Sequence, residues 1–237
     1  MLQPPDPPKI TKKYAKGVNT RNAIIETCRD LFWDKGYNAT TYKDILRLVG
    51  THPKAVTHHL GNKKNIATII YAEFMKDFYQ AVDDLLPEAD DTQRVLTLMT
   101  LFYQAVLDYA NLRRFYAEYS AVGALDGPSD YNAIFNKSYE VIVDTVGRAE
   151  ANLHMSLCRG LDSAVGAHLM ARGHELTIKD LIKVLVWHYC YFLPNEELQE
   201  RLNISLKVTA QFHAVVDRFT IAIKPVSDLP LNPPTNP

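Results

Sequence analysis

The sequence of 237 residues lacks any apolar run that would cross a membrane, because no window approaches about 18 uncharged apolar residues. The opening stretch MLQPPDPPKITKKYAKG has no apolar segment of the kind that directs secretion. Cysteine is scarce: Cys28, Cys158 and Cys190 lie far apart and are odd in number. Such a set argues against a disulfide framework and fits a reducing compartment. We therefore expect a cytoplasmic protein without membrane contact.

The patterns typical of enzymes and of β-sheets are missing as well. There is no glycine-rich phosphate loop, no nucleophile elbow and no cluster of carboxylates. No run of alternating apolar and polar residues lies between turn signals, so we predict no sheet. The chain is interpreted as a protein that is not an enzyme, with no cofactor and no metal site. A helical enzyme is the least favoured hypothesis.

Positive and negative charges are unevenly spread along the chain. Residues 1–80 hold 13 Lys and Arg against 7 Asp and Glu, whereas residues 81–237 hold 13 against 20. A basic N-terminal third on an acidic body is expected when only that third meets a polyanion such as nucleic acid. Chance clustering of the lysines in residues 9–16 is the alternative explanation.

Two proline-rich stretches frame a chain that is helical in pattern almost throughout. Residues 1–17 are interpreted as a flexible basic arm and residues 225–237 as a flexible tail. Helical periodicity in between predicts an all-α fold. Residues 18–66 form a small three-helix domain in this interpretation, and residues 67–224 form a larger helical domain.

Capping residues mark the first two helices of the small domain. The first helix is predicted to begin at the N-cap candidate Thr20 and to end at Gly36. The second begins with a capping box formed by Thr41 and Asp44, and Gly50 closes it. A glycine in a tight turn between the second and third helices is typical of a helix-turn-helix.

The third helix has the features of a recognition helix. It is predicted to begin with Pro53, which suits the first helical position, and to end near Leu60. Val56 and Leu60 are four residues apart, so both can pack inward. The other faces carry donors for phosphates or base edges, namely Lys54, Thr57 and His58. Such a helix enters the major groove of DNA.

The stretch from Thr20 to Ile66 resembles the DNA-binding domain of the tetracycline-repressor (TetR) family. The resemblance rests on the block LFWDKGYNATT, on Asp44-Ile45, on Gly50 and on the run HHLGNK. It implies a bacterial transcription regulator, expected to be a repressor. The regulator would bind a palindromic operator in double-stranded DNA as a homodimer. The residues to which it assigns DNA contacts are Thr41, His52, Lys54, Thr57, His58, His59 and Lys63.

Three positions depart from the family pattern, and two others have structural alternatives. Lys54 stands where the family often has Gly, Thr57 where it usually has Tyr, and Leu46 where it prefers Ala. Thr41 is a helix cap in either interpretation, and His59 has a structural alternative as a bridge between the first and third helices. The neighbours His58 and His59 point about 100° apart, which disfavours a shared metal.

The resemblance also implies a helical domain that binds a ligand and forms the dimer. Aromatic residues crowd the middle of the chain and suit an apolar, flat or elongated ligand. The residues proposed to line its pocket are Phe102, Tyr103, Tyr116, Tyr119, Phe135, Tyr139 and His154. His154 and Cys158 share a helix face, which permits a two-residue metal pair, but a satisfied core histidine is the favoured interpretation.

The predicted helices of the larger domain run over residues 62–86, 92–109, 111–122, 130–158, 161–173, 177–193 and 195–223. The last of these carries a seam with coiled-coil spacing: Leu198, Leu202, Ser205, Thr209, Phe212, Val216 and Phe219. We favour a homodimer through the last two helices, with packing onto its own domain as the alternative.

Two functions share the predicted DNA binding. In the first, an unknown small apolar ligand releases a repressor from its operator. In the second, the chain is an architectural or division-linked DNA binder controlled by a protein partner, with no small ligand.

Overall fold

The structure, a computed structural model, describes residues 12–122, 133–172, 177–189 and 194–228. This part is mainly helical, as predicted. Its helices are α1 (Lys12–Lys35), α2 (Tyr42–Val49), α3 (Pro53–Leu60), α4 (Lys63–Leu85), α5 (Asp91–Asp108), α6 (Ala110–Ala121), α7 (Ala133–Val146), α8 (Arg148–Arg172), α9 (Ile178–Tyr189) and α10 (Asn195–Gln211). Strands β1 (Phe212–Asp217) and β2 (Thr220–Pro225) and a 3-10 turn, Val226–Asp228, follow.

Helices α1 to α3 form a small unit, called the head below, and α4 joins it to the rest, called the body. The centre of the head consists of side chains without solvent exposure: Ile24, Cys28, Phe32, Ile45 and Val56. Full burial of an apolar side chain of this size stabilises a fold by about 1.5–3 kcal/mol. Helix α2 ends at Gly50, whose φ of 66° is left-handed, and α3 follows after two residues. The predicted helix-turn-helix is confirmed.

Helix α1 begins earlier than predicted. It starts at Lys12, so Thr20 is not its N-cap, and residues 12–17 belong to the helix rather than to a flexible arm. The segment 12–16 consists of residues that are compatible with a helix. The following Gly17 costs only about 1 kcal/mol inside a helix, which does not stop it.

The break in the second half of the chain lies at Gly147 rather than after Cys158. Helix α7 ends at Val146 and α8 runs without interruption over Arg148–Arg172. Gly147 has a φ of 85°, a conformation that other residues rarely adopt, so the chain turns there. The predicted boundary between two helices near residue 160 was therefore wrong.

The prediction of a single last helix reaching Ile223 was wrong, and so was the prediction that no sheet forms. Helix α10 ends at Gln211, and the chain then forms an antiparallel hairpin in which Phe212 pairs with Pro225. Ala214 and Val216 point to the same side of β1 and are buried. The stripe of apolar residues thus continues with a period of two rather than a helical period.

The seam of α10 faces its own chain and is not free to pair with a second copy. Its side chains pack against α5 and are buried: Leu198, Leu202, Ser205 and Thr209. Gln93 donates from Nε2 to the Ser205 hydroxyl at 2.8 Å, and the hydroxyls of Thr97 and Ser205 lie 3.1 Å apart. The small polar residues permit the predicted close crossing, but between helices of one chain. The proposed dimer contact through this seam was wrong.

Helices α6 and α8 approach each other unusually closely. A Cβ atom at Gly166 would lie 2.7 Å from the Ser120 hydroxyl and 2.9 Å from the Cα atom of Ala117. The two helices therefore touch almost backbone to backbone and move as one unit.

The outer face of α8 leaves large apolar side chains exposed. Leu153 is 62% exposed and Leu157 65%, one helical turn apart. In the part of the chain that the structure describes, no helix has both the length and the apolar character to cross a membrane.

Candidate nucleic-acid interface

Helix α3 is anchored by two residues and exposes most of the others. Val56 is fully buried and Leu60 is 5% exposed, and both pack against the core of the head. His52 caps the helix by accepting a hydrogen bond at Nδ1 from the Lys54 N–H at 3.5 Å. The predicted polar residues all lie on the exposed side: His52, Lys54, Thr57 and His58. Helix α3 thus presents donors to solvent from its first turn onward.

The start of α2 is held by the predicted capping box. The Thr41 hydroxyl accepts from the Asp44 N–H at 3.2 Å, and the Asp44 carboxylate accepts from the Thr41 N–H at 3.1 Å. Lys35 also donates to Asp44, at 2.9 Å. These hydrogen bonds hold the pKa of Asp44 well below its ordinary value. Thr41 is therefore a helix cap and is also exposed.

The half-buried Lys63 bonds to its own chain through its ammonium, and its proposed contact with the DNA backbone stays a prediction. Its ammonium donates to the carbonyls of Tyr37 and Thr40, both at 2.9 Å, and lies 4.4 Å from the centre of the Tyr37 ring. Burial lowers the pKa of Lys63, and the Glu118 carboxylate opposes that shift. The lysine fastens α4 to the loop between α1 and α2.

His59 of α3 is held against the first helix, whereas Tyr42 of α2 is exposed. His59 is half-buried, and its ring lies near Gly17 of α1, where an added Cβ would be 3.6 Å from His59 Cε1. This supports its structural alternative as a bridge between the first and third helices. Tyr42, which sequence reasoning missed, is 43% exposed, and its hydroxyl accepts from the Lys63 N–H at 2.8 Å. In the sequence, an aromatic residue directly after the capping Thr41 was the signal that could have identified Tyr42 as part of this surface.

The aromatic residues proposed to line a ligand pocket form a packed cluster instead of lining an evident opening. Phe102, Tyr103, Tyr116 and Tyr119 are each at most 4% exposed. The rings of Phe102 and Tyr116 lie 5.6 Å apart, and those of Phe102 and Tyr103 5.1 Å. The hydroxyls of Tyr103 and Tyr116 both donate to Asp162 Oδ1 at 3.0 Å. This cluster joins α5, α6 and α8.

The remaining proposed ligand residues are not part of this cluster. His154 is buried, with Nε2 at 3.4 Å from the Cys158 sulfur, as a core histidine would be. Tyr139 is half-buried and donates to Asn152 at 2.6 Å. The side chain of Phe135 lies outside the described residues. No group of three or more potential metal ligands occurs within the described ranges.

Two residues of α6, Arg114 and Glu118, join the body to the head. Arg114 donates to the carbonyls of Trp33 and Asp34, at 2.7 and 2.9 Å, at the C-terminal end of α1. Glu118 accepts from the Asn38 N–H at 2.7 Å. A cation at the last carbonyls of a helix and a carboxylate on a free N–H are both favourable. Sequence reasoning missed the joint because its partners are about 80 residues apart.

An open groove of about 680 Å³ runs along the outer face of α10. Residues of that helix alone line it, among them Glu196, Glu200 and Lys207. A site for an apolar ligand is normally enclosed and mostly hydrophobic. This groove therefore does not match the predicted ligand.

A short helix that exposes cationic and polar donors, set after a glycine turn on two supporting helices, defines a helix-turn-helix DNA-binding domain. The sequence comparison finds a match over this part of the chain. Residues 24–68 match the profile described as "Bacterial regulatory proteins, tetR family". This segment of the chain is thus similar to tetR-family regulatory proteins, as the resemblance implied.

Solved structures of other regulators are similar to the chain at low sequence identity. A tetR family transcription regulator from Shewanella sp. PV-4 is 15% identical, with 79% of this chain and 96% of that one covered and a TM-score of 0.42. A TetR-family regulator from Pectobacterium atrosepticum is 16% identical, with 83% and 92% covered and a TM-score of 0.41. The protein CprB from S. coelicolor A3(2) is 18% identical, with 81% and 87% covered and a TM-score of 0.38. No curated protein matches the sequence.

Proposed function

We propose that the protein is a transcriptional repressor that binds a palindromic operator as a homodimer and is released by an apolar or aromatic ligand in its body. The observation that carries the DNA-binding part is the exposed polar face of α3. In this proposal Lys54, Thr57 and His58 read base edges or phosphates, with His52 and Thr41 contacting the backbone beside them. His59 supports the helix from behind.

The outer face of α8 supports a dimer and replaces the seam of α10 as its surface. Six exposed positions fall within one face of this helix: Leu153, Leu157, Gly160, Ala164, Ala167 and Ala171. None is charged, and they span 19 residues, which is about 27 Å of helix. Small residues along such a face allow two helices to cross closely. A second copy of the same face is the partner proposed here, in an isologous contact.

The joint between body and head supports control of DNA binding by the body. Helix α6 bonds the head through Arg114 and Glu118, and it is packed backbone to backbone on α8 at Gly166. A change in how the α8 faces of two copies cross would therefore be transmitted through α6 to the head. A ligand changes the population of such states only by binding one of them more tightly.

The packing of the aromatic cluster favours a second candidate function, a DNA binder that is controlled by a protein partner. Phe102, Tyr103, Tyr116 and Tyr119 are buried and at most 4% exposed, and several of their rings are in contact with one another. In that version the body docks a protein partner and takes no small ligand. A thermal-shift screen with indole-, naphthalene- and biphenyl-sized compounds separates the two candidates, since a ligand at 100 times its Kd stabilises by about 2.7 kcal/mol. No shift with any compound would favour the protein partner.

Paired lysine variants test the DNA-binding surface. The probe is duplex DNA recovered by the wild-type protein from a random pool. Lys54→Ala should weaken binding several-fold and reduce the salt dependence by about one phosphate contact. Lys76→Ala, on the exposed side of α4, is the matched control and should change neither. Equal binding by the Lys54 variant would contradict the proposed face.

A charge placed on α8 tests the dimer surface. Leu157→Glu should shift the protein from dimer to monomer in sedimentation equilibrium, because two carboxylates would be buried without partners. Ile204→Glu, at a 39% exposed position on α10, is the control and should leave the mass unchanged. A dimeric Leu157 variant would rule out this face.

A further inference from the structure

The hairpin formed by β1 and β2 bridges the body and the head. Its base is anchored in the body, because Ala214 and Val216 are at most 3% exposed and β1 packs against α5. Its tip, Arg218 and Phe219, reaches α1 of the head. Through Arg218 the hairpin bonds to Asp30, which lies 188 positions earlier in the chain.

Phe219 is inserted where the head, α4 and α6 meet. It is 1% exposed. Its ring lies 4.5 Å from Phe115 of α6, 5.5 Å from Trp33 of α1 and 6.0 Å from Phe74 of α4, measured between ring centres. A rotation of the head about its joint with α6 therefore withdraws the Trp33 ring from Phe219.

Arg218 adds a polar contact at the same point. Its guanidinium lies 2.7 Å from Asp30 and 3.5 Å from Asp34, one turn apart on α1. Together with Arg114, which bonds the end of α1 from α6, it holds the helix from a second direction. Two attachments from different elements fix an orientation that one attachment leaves free to swivel.

The backbone conformation of the hairpin tip is unfavourable for its residues, so tertiary contacts must stabilise it. Arg218 and Phe219 form a two-residue turn with φ values of 47° and 60°. Both values lie in the left-handed region that such hairpin turns require and that Asn and Gly normally supply. Bulky residues persist there only where tertiary contacts over-determine the backbone. Here those contacts are made with α1 of the head and with α4 and α6.

We infer that the hairpin tip is a positioning element for DNA binding: Arg218 and Phe219 set the angle of the head on the body and thereby the distance between the two recognition helices of a dimer. The inference rests on the proposed function. Each half-site of a palindrome is contacted by one head, and half-sites lie about one DNA turn apart. A head that swivels binds a half-site equally well but pays an ordering cost to bind two at a fixed distance.

The test compares three duplexes: the palindrome selected by the wild-type protein, the same duplex with one base pair inserted at its centre, and a single half-site. One inserted base pair rotates one half-site by about 34° and moves it by about 3.4 Å. Arg218→Asp should weaken binding to the palindrome by about fivefold or more and leave half-site binding unchanged. It should also reduce the penalty of the inserted base pair.

Matched variants separate positioning from stability. Arg218→Lys and the charge exchange Arg218→Asp with Asp30→Arg should restore palindrome binding. Arg201→Ala removes a comparable surface ion pair with Asp90 and Glu197, far from the head, and should not alter the preference for spacing. In a Trp187→Phe background, the emission of Trp33 should change in Phe219→Leu and in Arg218→Asp, which reports the tip directly.

Unchanged palindrome binding and spacing preference in Arg218→Asp, or an equal loss on the palindrome and the half-site, would overturn the inference alone. Failure of the wild-type protein to select any DNA would remove the proposed function, and the inference with it. A restored charge exchange together with a relaxed spacing preference is the result that supports it.

Discussion

The outward and inward faces of the head differ in how their residues are held. On the outward face, the side chains of Thr41, His52 and Thr57 form hydrogen bonds to residues at most four positions away. On the inward face, Phe32 contacts Phe115, at 5.9 Å, and Phe115 contacts Phe219. Exposed substitutions usually change stability by less than about 0.5 kcal/mol. DNA preference can therefore change with little effect on the fold, whereas the joint with the body cannot.

The largest expected effect is that of truncating the ring at the centre of the inward face. Phe115→Ala should lower the free energy of unfolding by about 3–5 kcal/mol, because the side chain is fully buried. Thr57→Ala on α3 should change it by less than about 0.5 kcal/mol. Urea denaturation measures both, and Phe115→Leu gives an intermediate value if the alanine variant does not fold. Similar decreases in the free energy of unfolding for Phe115→Ala and Thr57→Ala would contradict the proposed difference between the two faces.

Two glycines with left-handed backbones sharpen the comparison. A Cβ at Gly36, with φ of 88°, would lie 2.8 Å from the Glu118 carboxylate and 2.9 Å from Arg114, whereas a Cβ at Gly50, with φ of 66°, would meet nothing within 4 Å. Gly50→Ala should cost about 1–2 kcal/mol of stability for the backbone alone. Gly36→Ala should cost about 3 kcal/mol, because it also disturbs the joint. If thermal denaturation gave equal losses of stability for the two variants, Arg114 and Glu118 would accommodate the added methyl group at no cost.

Alkaline pH provides a smaller effect on the inward side. Burial raises the pKa of Cys28 from 9.0 to about 12, so the folded state holds its proton longer than the unfolded state does. The resulting stabilisation is complete below pH 9 and is lost as the pH rises toward 12. Between pH 9 and 10.5 the unfolding free energy should fall by about 2 kcal/mol through this residue. Cys28→Ala should show a flatter pH profile, and parallel profiles would exclude this role.

The smallest expected effect lies on the outward face. Thr41→Ala removes the cap of α2 and should cost about 1 kcal/mol of stability. Thr41→Ser keeps the cap hydroxyl and should be nearly neutral. If Thr41 also contacts a phosphate, the alanine variant loses DNA affinity as well, which fluorescence anisotropy measures. A loss in both properties for the serine variant would contradict the assignment of the hydroxyl to either role.

Local signals made the head predictable. The capping box of Thr41 and Asp44, the left-handed Gly50 and the first-turn Pro53 each determine the backbone within a few residues, and all three lie where they were predicted. The exposed polar face of α3 follows from helical spacing alone. The inward position of Lys63 does not follow, because it depends on the carbonyls of Tyr37 and Thr40.

The hairpin shows why other parts were not predictable. Residues 209, 212, 216 and 219 keep a helical spacing, which hid the strands. The turn has Arg218 and Phe219 where a two-residue hairpin normally has Asn and Gly, so no turn signal was visible. The available evidence was the density of β-branched residues in HAVVD and TIAI. Tertiary contacts of Phe219, not local preference, decide the structure there.

The hairpin tip also has a consequence for synthesis on the ribosome. The head leaves the ribosome long before Arg218, which lies 188 residues after its partner Asp30, is translated. Domains fold in order of emergence, so the head folds first and without its second attachment. In the proposed arrangement, a chain that stops before the hairpin would retain a DNA-reading helix but not its fixed angle. Only a chain translated beyond residue 219 would then bind two half-sites at the distance that the operator sets.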